Sequence, residues 1–249
     1  MDASLGRFKK MDFHVHTPLS RCYEDHVMPE ANLHTTSKDI LQAAVGVGLS
    51  AMVITDHNTA EGIDPMREAA ASYNGLSIFP GMEVSARGGH VLGVFDLDTP
   101  VADLRRLVSA LGFTKEQEGE GYYQSPLWMD EAFALIADAG GLAIAAHIDR
   151  QPRGLVASGE SLADKVRVFG SQHLSAVEIT VPHDRKLWNG GLVPNFPQRR
   201  ACIQGSDAHA PAEVGRRPIY IDMPQMDLNN LAAAFRDFEA RIRFPDELV

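Results

Sequence analysis

Short apolar runs alternate with amphipathic segments along the chain. The runs are rich in valine, isoleucine and alanine, which is typical of strands in a parallel sheet that is covered on both faces. The amphipathic segments repeat apolar residues at the spacing of one helix face. The pattern predicts strands over residues 11–15, 51–55, 76–83, 90–94, 142–146, 176–180, 201–204 and 219–221.

Predicted helices lie between most of these strands, so the pattern indicates an α/β protein. Ser37 and Asp227 are candidate N-caps, because their side chains can accept a hydrogen bond from the first helical turn. Proline suits the first turn, where its missing backbone donor is not needed. The predicted helices begin near Ser37, Asp64, Pro100, Pro126, Ser161 and Asp227.

One connection departs from this alternation. Only residues 86–89 separate the strand that ends near Ser85 from the strand that begins at His90. This gap is too short for a parallel crossover and predicts a hairpin. The second strand of a hairpin starts beside the end of the first, so we expect His90 to lie near Glu83.

Composition narrows the classes of protein and partner. The chain has 249 residues, of which 45% are hydrophobic and 22% charged, and this suits one barrel or two small domains. Candidate functional residues come from both ends of the chain, which favours one domain. The formal net charge of -10 predicts that long stretches of nucleic-acid backbone are poor partners.

Cysteine usage and hydropathy bear on location. Cys22 and Cys202 form no disulfide framework and suit a reducing cytoplasm. Residues 1–10 lack the apolar core of a signal peptide, and no apolar run is long enough to span a membrane. We therefore expect a cytoplasmic protein with no membrane partner.

Residue types that can bind metals stand at the ends of several predicted strands. His14 and His16 alternate around Val15, so both side chains point to one face of a strand. Such residues at the ends of successive strands are how a barrel assembles a metal site, although each alone could be structural. Imidazole nitrogen with carboxylate oxygen suits Zn²⁺, Mn²⁺ or Fe²⁺. The other candidates are Asp56, His57, Glu83, His147, Asp207 and His209.

Six short motifs in this order resemble the PHP family (polymerase and histidinol phosphatase domains). They are His14-Val15-His16-Thr17, Ile-Thr-Asp-His-Asn-Thr at 54–59, Gly-Met-Glu-Val-Ser at 81–85, His-Val-Leu-Gly at 90–93, Ala146-His147, and Gly-Ser-Asp-Ala-His at 205–209. The resemblance implies one α/β domain over residues 1–249. Its fold would be a distorted (β/α)7 TIM-like barrel with a metal site at the C-terminal ends of the strands.

The resemblance also implies which residues bind two or three divalent ions. It places one ion on His14, His16, Glu83 and Asp207, and a second ion on Glu83, His90 and His147. A third ion would bind His57, His209 and a residue from the loop after His16. For that loop ligand we favour Asp25 over Glu24, with Cys22 as a thiol alternative.

The function that the resemblance implies is a metal-dependent phosphoesterase, in which a metal-bound hydroxide attacks phosphorus. His209 or the third ion would stabilise the leaving oxygen. Asp56 would orient a ligand or shuttle a proton, and it could also cap the following turn. Arg150 could hold the phosphate in bidentate fashion or be an exposed loop residue. Glu178 is expected to be structural or to face the substrate.

The sequence favours one substrate class and leaves several alternative functions open. A small phosphorylated metabolite or a nucleotide is favoured because the chain is acidic. The main alternative is 3'-5' exonuclease-like activity on short oligonucleotides. A non-catalytic PHP module that keeps metals for stability is a second alternative. An amidohydrolase is disfavoured, because no strand end offers a lysine of the kind those barrels carbamylate.

Overall fold

A mixed β-sheet forms the centre of the molecule. The computed structural model describes residues 7–24 and 35–248 of the chain. Branched apolar side chains favour such a sheet because they pack well on its pleated surface. The strands are β1 (Phe8–Val15), β2 (Ala51–Ile54), β3 (Ser77–Ala86), β4 (Gly89–Val94), β5 (Leu142–Ala145), β6 (Leu174–Glu178), β7 (Ala201–Ile203), β8 (Ile219–Asp222) and β9 (Ile242–Arg243).

Helices connect most of the strands, and the longer ones bury one apolar face. They are α1 (Ser37–Gly46), α2 (Ile63–Ala70), α3 (Val101–Ala110), α4 (Met129–Asp138), α5 (Leu162–Phe169), α6 (Arg185–Gly190), α7 (Leu228–Arg236) and α8 (Phe238–Arg241). In α1 the buried residues are Ile40, Leu41 and Ala44, which is the spacing of one helix face. Among the described residues, no helix combines the length and apolar character needed to cross a bilayer.

The strand directions confirm the predicted hairpin. Neighbouring strands follow the order β7-β6-β5-β4-β3-β2-β1-β8-β9. β1, β2 and β3 are parallel to one another, as are β5, β6 and β7. β4 runs antiparallel to both β3 and β5, because only a tight turn connects it to β3. Glu83 and His90 consequently lie at the same end of the sheet.

The sheet rolls up until β1 meets the segment after β7. Val15 and Ala208 form a parallel bridge. The amide nitrogen of Ala208 donates to the carbonyl oxygen of His14 at 3.1 Å, and that of His16 donates to the Ala208 carbonyl at 2.9 Å. The barrel is thus nearly closed, and the prediction of a distorted TIM-like α/β barrel is confirmed. β8 pairs with the first half of β1, from Phe8 to Met11, and β9 pairs with β8, so these two strands extend the sheet.

Some element boundaries differ from those predicted. The N-cap of α1 is Thr36 rather than Ser37, because Thr36 forms a reciprocal capping box with Asp39. α4 begins at Met129, three residues after Pro126, because Leu127 lies in a bend and Trp128 forms a parallel bridge with Arg87. The short elements α6, α8 and β9 were not predicted, since they contain too few residues for a periodic pattern.

Candidate metal centre

One end of the barrel gathers the metal-binding residue types that the sequence pattern singled out. β1, β2, β3, β5 and β7 end there, and the reversed strand β4 begins there. The site is nearly closed to solvent, since His14 and His16 are 0% exposed and Glu83 is 1% exposed. We call this group the His–carboxylate cluster; its members are His14, His16, His57, Glu83, His90, His147, Asp207 and His209.

Three groups within the cluster could each hold a metal ion, because their ligand atoms lie within 4.8 Å of one another. One group is the set that the resemblance implies for a single ion: His14, His16, Glu83 and Asp207. A second group contains His57, Glu83 and His90, and a third contains His16, His57 and His209. Glu83 is shared by two groups, as expected of a carboxylate with two oxygens.

The second group differs from the implied set, which contained His147 in place of His57. His57 and Glu83 are sheet neighbours that form a parallel bridge, and His57 Nδ1 lies 3.0 Å from Glu83 Oε2. His147 lies on the other side of Glu83, with its Nε2 3.0 Å from Oε1. His147 therefore contacts the shared carboxylate without joining one of the three groups.

Several polar atoms of the cluster have no hydrogen-bond partner. Glu83 Oε2, His57 Nδ1 and His147 Nδ1 are buried without one. The 3.0 Å approach of His57 to Glu83 has an orientation that forms no hydrogen bond. Buried lone pairs without partners are unfavourable in the protein alone, and a cation satisfies them. The donor set therefore fits a divalent ion that prefers nitrogen and oxygen ligands.

Glu178 orients two residues of the cluster. His14 Nδ1 donates to its carboxylate at 3.1 Å, and the backbone nitrogen of His147 donates to the same carboxylate at 2.8 Å. When His14 is neutral, this hydrogen bond keeps its proton on Nδ1 and leaves the lone pair on Nε2, the nitrogen that faces the cluster. The sequence interpretation of Glu178 as structural or substrate-facing thus missed its contact with His14, which depends on a residue 164 positions away.

Asp56 acts on the cluster through Ser20. The Ser20 hydroxyl donates to Asp56 Oδ1 at 2.8 Å and lies 3.0 Å from His16 Nδ1, which donates to it. Both Asp56 oxygens also accept hydrogen bonds from Thr17. These contacts are those of a positioning residue, while the proton-shuttle role of Asp56 stays a prediction. Ser20 was missed as a functional candidate, because its bridge from His16 to Asp56 depends on a residue 36 positions away.

Asp12 and Gly205 hold the segment after β7 against β1. Asp12 Oδ1 accepts a hydrogen bond from the Ser206 amide at 2.9 Å. A methyl group added at Gly205 would lie 2.6 Å from Glu178 Oε1 and 2.6 Å from His14 Cβ. The absence of a side chain at Gly205 therefore allows the segment after β7 to lie against His14. Burial raises the pKa of Asp12 above its usual value, although the backbone hydrogen bonds oppose this.

The two carboxylates of the cluster are held in their charged form. Burial opposes ionisation of Glu83, but the charges of His90 and His14 outweigh it and lower its pKa well below the usual value. Burial likewise opposes ionisation of Asp207, whose pKa is lowered well below its usual value by His14 and His16. Against the effect of burial, these carboxylates raise the pKa of His16 to about 8.

Two other histidines are neutral at neutral pH, as metal ligands must be. Burial lowers the pKa of His57 to about 3. Burial and the charge of His16 lower the pKa of His209 to about 4. His209 stacks on His16 with ring centroids 4.2 Å apart, which explains why His16 influences it.

The loop after His16 contributes Cys22, whose Sγ lies 3.1 Å from His209 Nε2. Burial raises the pKa of this thiol to about 12, so the thiol proton is the one shared with the imidazole nitrogen. Glu24 is tied to the same histidine only by its backbone, at 2.9 Å from the His209 carbonyl oxygen. Asp25, the favoured loop ligand, lies outside the described residues.

Arg150 lies at the rim of the cluster. Its guanidinium forms an ion pair with Asp207, and its side chain is 42% exposed. Arg150 therefore contacts both the cluster and solvent, as the predicted contact with a phosphate requires.

Among the described residues, three of the four non-glycine positive φ angles belong to Asn58, His147 and Asp207. Such backbone strain is concentrated at functional sites.

The segment from Phe113 to Ser125 lies against the cluster. The amide of Gly119 donates to the His57 carbonyl at 2.8 Å, and Asn58 Nδ2 donates to the carbonyl of Tyr123 at 3.1 Å. A methyl group added at Gly121 would lie 2.8 Å from His57 Nε2. This segment thus covers the cluster on the side of His57.

Comparisons with known sequences identify a distant relative. No family model matches the chain. An uncharacterised protein from Methanocaldococcus jannaschii is 24% identical over 200 residues, which cover 78% of this chain and 97% of that protein.

Solved structures share the fold. The lesion-specific endonuclease Q from Pyrococcus furiosus superposes over 94% of this chain with a TM-score of 0.68 at 16% identity. Endonuclease Q in complex with a 27-mer duplex that carries an abasic lesion has a TM-score of 0.67, 17% identity and the same coverage. A two-domain protein from Bacteroides vulgatus, which contains a predicted PHP-like metal-dependent phosphoesterase, superposes over 96% of this chain with a TM-score of 0.62 at 17% identity. This chain spans 57%, 58% and 66% of these proteins, respectively.

Proposed function

We propose that this chain, which has the fold of the PHP-like metal-dependent phosphoesterases, is a single-domain hydrolase of phosphate esters. The observation that carries the proposal is the His–carboxylate cluster, with its three groups of converging ligand atoms. Two or three divalent ions, Zn²⁺, Mn²⁺ or Fe²⁺, would bind these groups. A cytoplasmic location stays a prediction from cysteine usage.

Some residues would bind the ions, and others would position those ligands. Divalent ions supply Lewis-acid polarisation of phosphoryl oxygens and activation of a water molecule. Glu178 and Ser20 hold the imidazoles of His14 and His16 with one nitrogen turned toward the cluster. This positioning matters because a misplaced ligand weakens both metal binding and catalysis.

Substrate binding would use the groups at the rim. Arg150 can turn part of its guanidinium from Asp207 to a phosphate oxygen, because nearly half of its side chain is exposed. His209 is the predicted residue beside the leaving oxygen; because its Nδ1 proton is donated to the Asp207 carbonyl oxygen, it would act there through a bound ion.

Chelation of the purified protein tests the proposal. We expect elemental analysis to find two or three divalent ions per chain, and a chelator to lower hydrolysis of a phosphate ester at least about a hundredfold. Adding Zn²⁺, Mn²⁺ or Fe²⁺ should restore the activity. Bound metal without hydrolysis of any ester would instead favour the non-catalytic module. No bound metal and no stabilisation by added ions would remove the metal site itself.

The favoured substrate is a small phosphorylated metabolite or a nucleotide, with short oligonucleotides as the alternative, and two tyrosines favour the substrates that carry a base. Tyr122 is 82% exposed and Tyr123 48% exposed, and both follow Gly121, which lies against His57. Exposed aromatic rings beside a phosphate site can stack on bases. A protein of this fold, endonuclease Q, binds a 27-mer duplex. The expectation that long nucleic acid is a poor partner therefore finds no support in the comparisons.

Replacing Tyr122 by Ala tests this substrate class. We expect KM for a nucleoside monophosphate or dinucleotide to rise about tenfold, because stacking of a base contributes about 1–3 kcal/mol. KM for ribose 5-phosphate, which has no base, should stay within twofold. Tyr122→Phe is the matched control, since it keeps the ring. Equal effects on both substrates would exclude base stacking by Tyr122 without touching the phosphoesterase proposal.

A further inference from the structure

We propose that Cys22 supplies a thiolate ligand to a metal ion held beside His209 and His57. The inference rests on the proposed metal-dependent function, because this ion would be one of its divalent ions. It also changes the expected chemistry of the loop ligand, which the resemblance led us to seek among acidic residues. A sulfur ligand gives the site a different metal preference from a site built of nitrogen and oxygen alone.

The contact between Cys22 and His209 has the direction that a shared metal needs. His209 Nδ1 donates to the Asp207 carbonyl oxygen at 2.9 Å, so the lone pair of its ring lies on Nε2. That Nε2 is the atom 3.1 Å from Cys22 Sγ. Sulfur and nitrogen ligands of one tetrahedral Zn²⁺ lie roughly 3.5 Å apart, given the usual bond lengths. The two atoms therefore need to separate by only a few tenths of an ångström.

The histidine that Cys22 contacts also belongs to a group of possible ligands. His16, His57 and His209 form one of the three groups whose ligand atoms lie within 4.8 Å of one another. The His57 side chain is 9% exposed, and its buried Nδ1 has no hydrogen-bond partner. Cys22 thus contacts this group through His209, and the group contains an unsatisfied nitrogen, although Cys22 is not itself a member of it.

The backbone on both sides of Cys22 is held in place. The amide of Arg21 donates to the Gly119 carbonyl at 2.8 Å, and the amide of Glu24 donates to the His209 carbonyl at 2.9 Å. The second of these bonds links the cysteine loop directly to the histidine that its thiol contacts. Ligands held by such bonds are preorganised and do not need a loop to be ordered on metal binding.

The chemistry of the site follows from the thiol. Metal binding replaces the proton between sulfur and Nε2 by the ion, and that proton leaves to solvent, because the thiolate is the ligand. Thiolate ligands favour Zn²⁺ and Co²⁺ over the harder ion Mn²⁺. Cys, His and His with one open position is also a ligand number found in catalytic zinc sites.

Cobalt spectroscopy on the full chain tests the assignment. After chelation and addition of Co²⁺, we expect a thiolate-to-Co²⁺ charge-transfer band in the near ultraviolet. Cys22→Ser should abolish the band and weaken Zn²⁺ at this site at least about tenfold, with little change for Mn²⁺. Cys202→Ala is the matched control and should keep the band, because Cys202 is buried in β7 and the chain has 2 cysteines.

A second variant and a second measurement guard against misfolding of the serine variant. Cys22→Asp should bind the ion through oxygen without the band and prefer Mn²⁺ more strongly than the wild type does. In the wild type, Zn²⁺ should protect Cys22 from alkylation, as followed by mass spectrometry. A band that persists in Cys22→Ser overturns the inference, and so does bound Co²⁺ without any band. Absence of bound Co²⁺ would instead contradict the phosphoesterase proposal as well.

Discussion

Replacing Glu83 by Gln is expected to lower phosphate-ester hydrolysis about a thousandfold, because metal ions contribute several kcal/mol to such reactions and each tenfold corresponds to about 1.4 kcal/mol. Glu83 belongs to two of the three groups that could hold a metal ion. The amide of glutamine keeps the size of the side chain but removes its charge and one ligand oxygen. We therefore expect the metal content, measured by elemental analysis, to fall together with kcat.

Glu239→Gln is the control for the loss of one carboxylate elsewhere. Glu239 pairs with Arg199 on the surface and is 69% exposed, so the change should leave metal content and kcat within twofold. Circular dichroism would establish that both variants are folded. Full metal content and full activity in Glu83→Gln would contradict the role of Glu83 and would require a different metal site.

Replacing Gly205 by Ala is expected to destabilise the protein by about 1–3 kcal/mol, which is the usual cost of overpacking a tightly packed interior. The added methyl group would lie 2.6 Å from both Glu178 Oε1 and His14 Cβ. Neither atom can move freely, because Glu178 also binds the backbone of His147. Chemical denaturation would measure the stability. The affinity for metal should fall as well, since the change separates Asp207 from His14.

Gly46→Ala is the matched control, because it makes the same chemical change in open space. Gly46 is the last residue of α1, and a methyl group there meets nothing within 4 Å. Alanine is a better helix former than glycine, so we expect a gain of up to about 1 kcal/mol. The two variants should thus differ in sign. Equal stability of Gly205→Ala and the wild type would mean that the segment after β7 can move away from β1.

The local pattern of the sequence was sufficient for the strands, the hairpin and the convergence of candidate residues. Periodicity states which face a side chain occupies, and strand ends in a barrel meet at one rim. The short gap at residues 86–89 predicted that His90 would return beside Glu83, and their Nδ1 and Oε1 atoms are 2.7 Å apart. The roles of these residues as ligands stay predictions until metal is measured.

Long-range partners could not be read from local patterns. Glu178 reaches His14, and Ser20 reaches Asp56, only because the barrel is rolled and the loop after β1 folds back onto it. The same loop places Cys22 against His209, 187 positions away. Such contacts depend on how separate segments meet in space, and no spacing along the chain records them.

Local periodicity and strand ends encode the α/β architecture and the residue types available for metal chemistry. How those residues group depends on the folded barrel. It placed His57 rather than His147 in the group with Glu83 and His90, because β2 and β3 are sheet neighbours. It also decided which carboxylates and hydroxyls hold each imidazole, because those partners meet only when the barrel nearly closes at Val15 and Ala208.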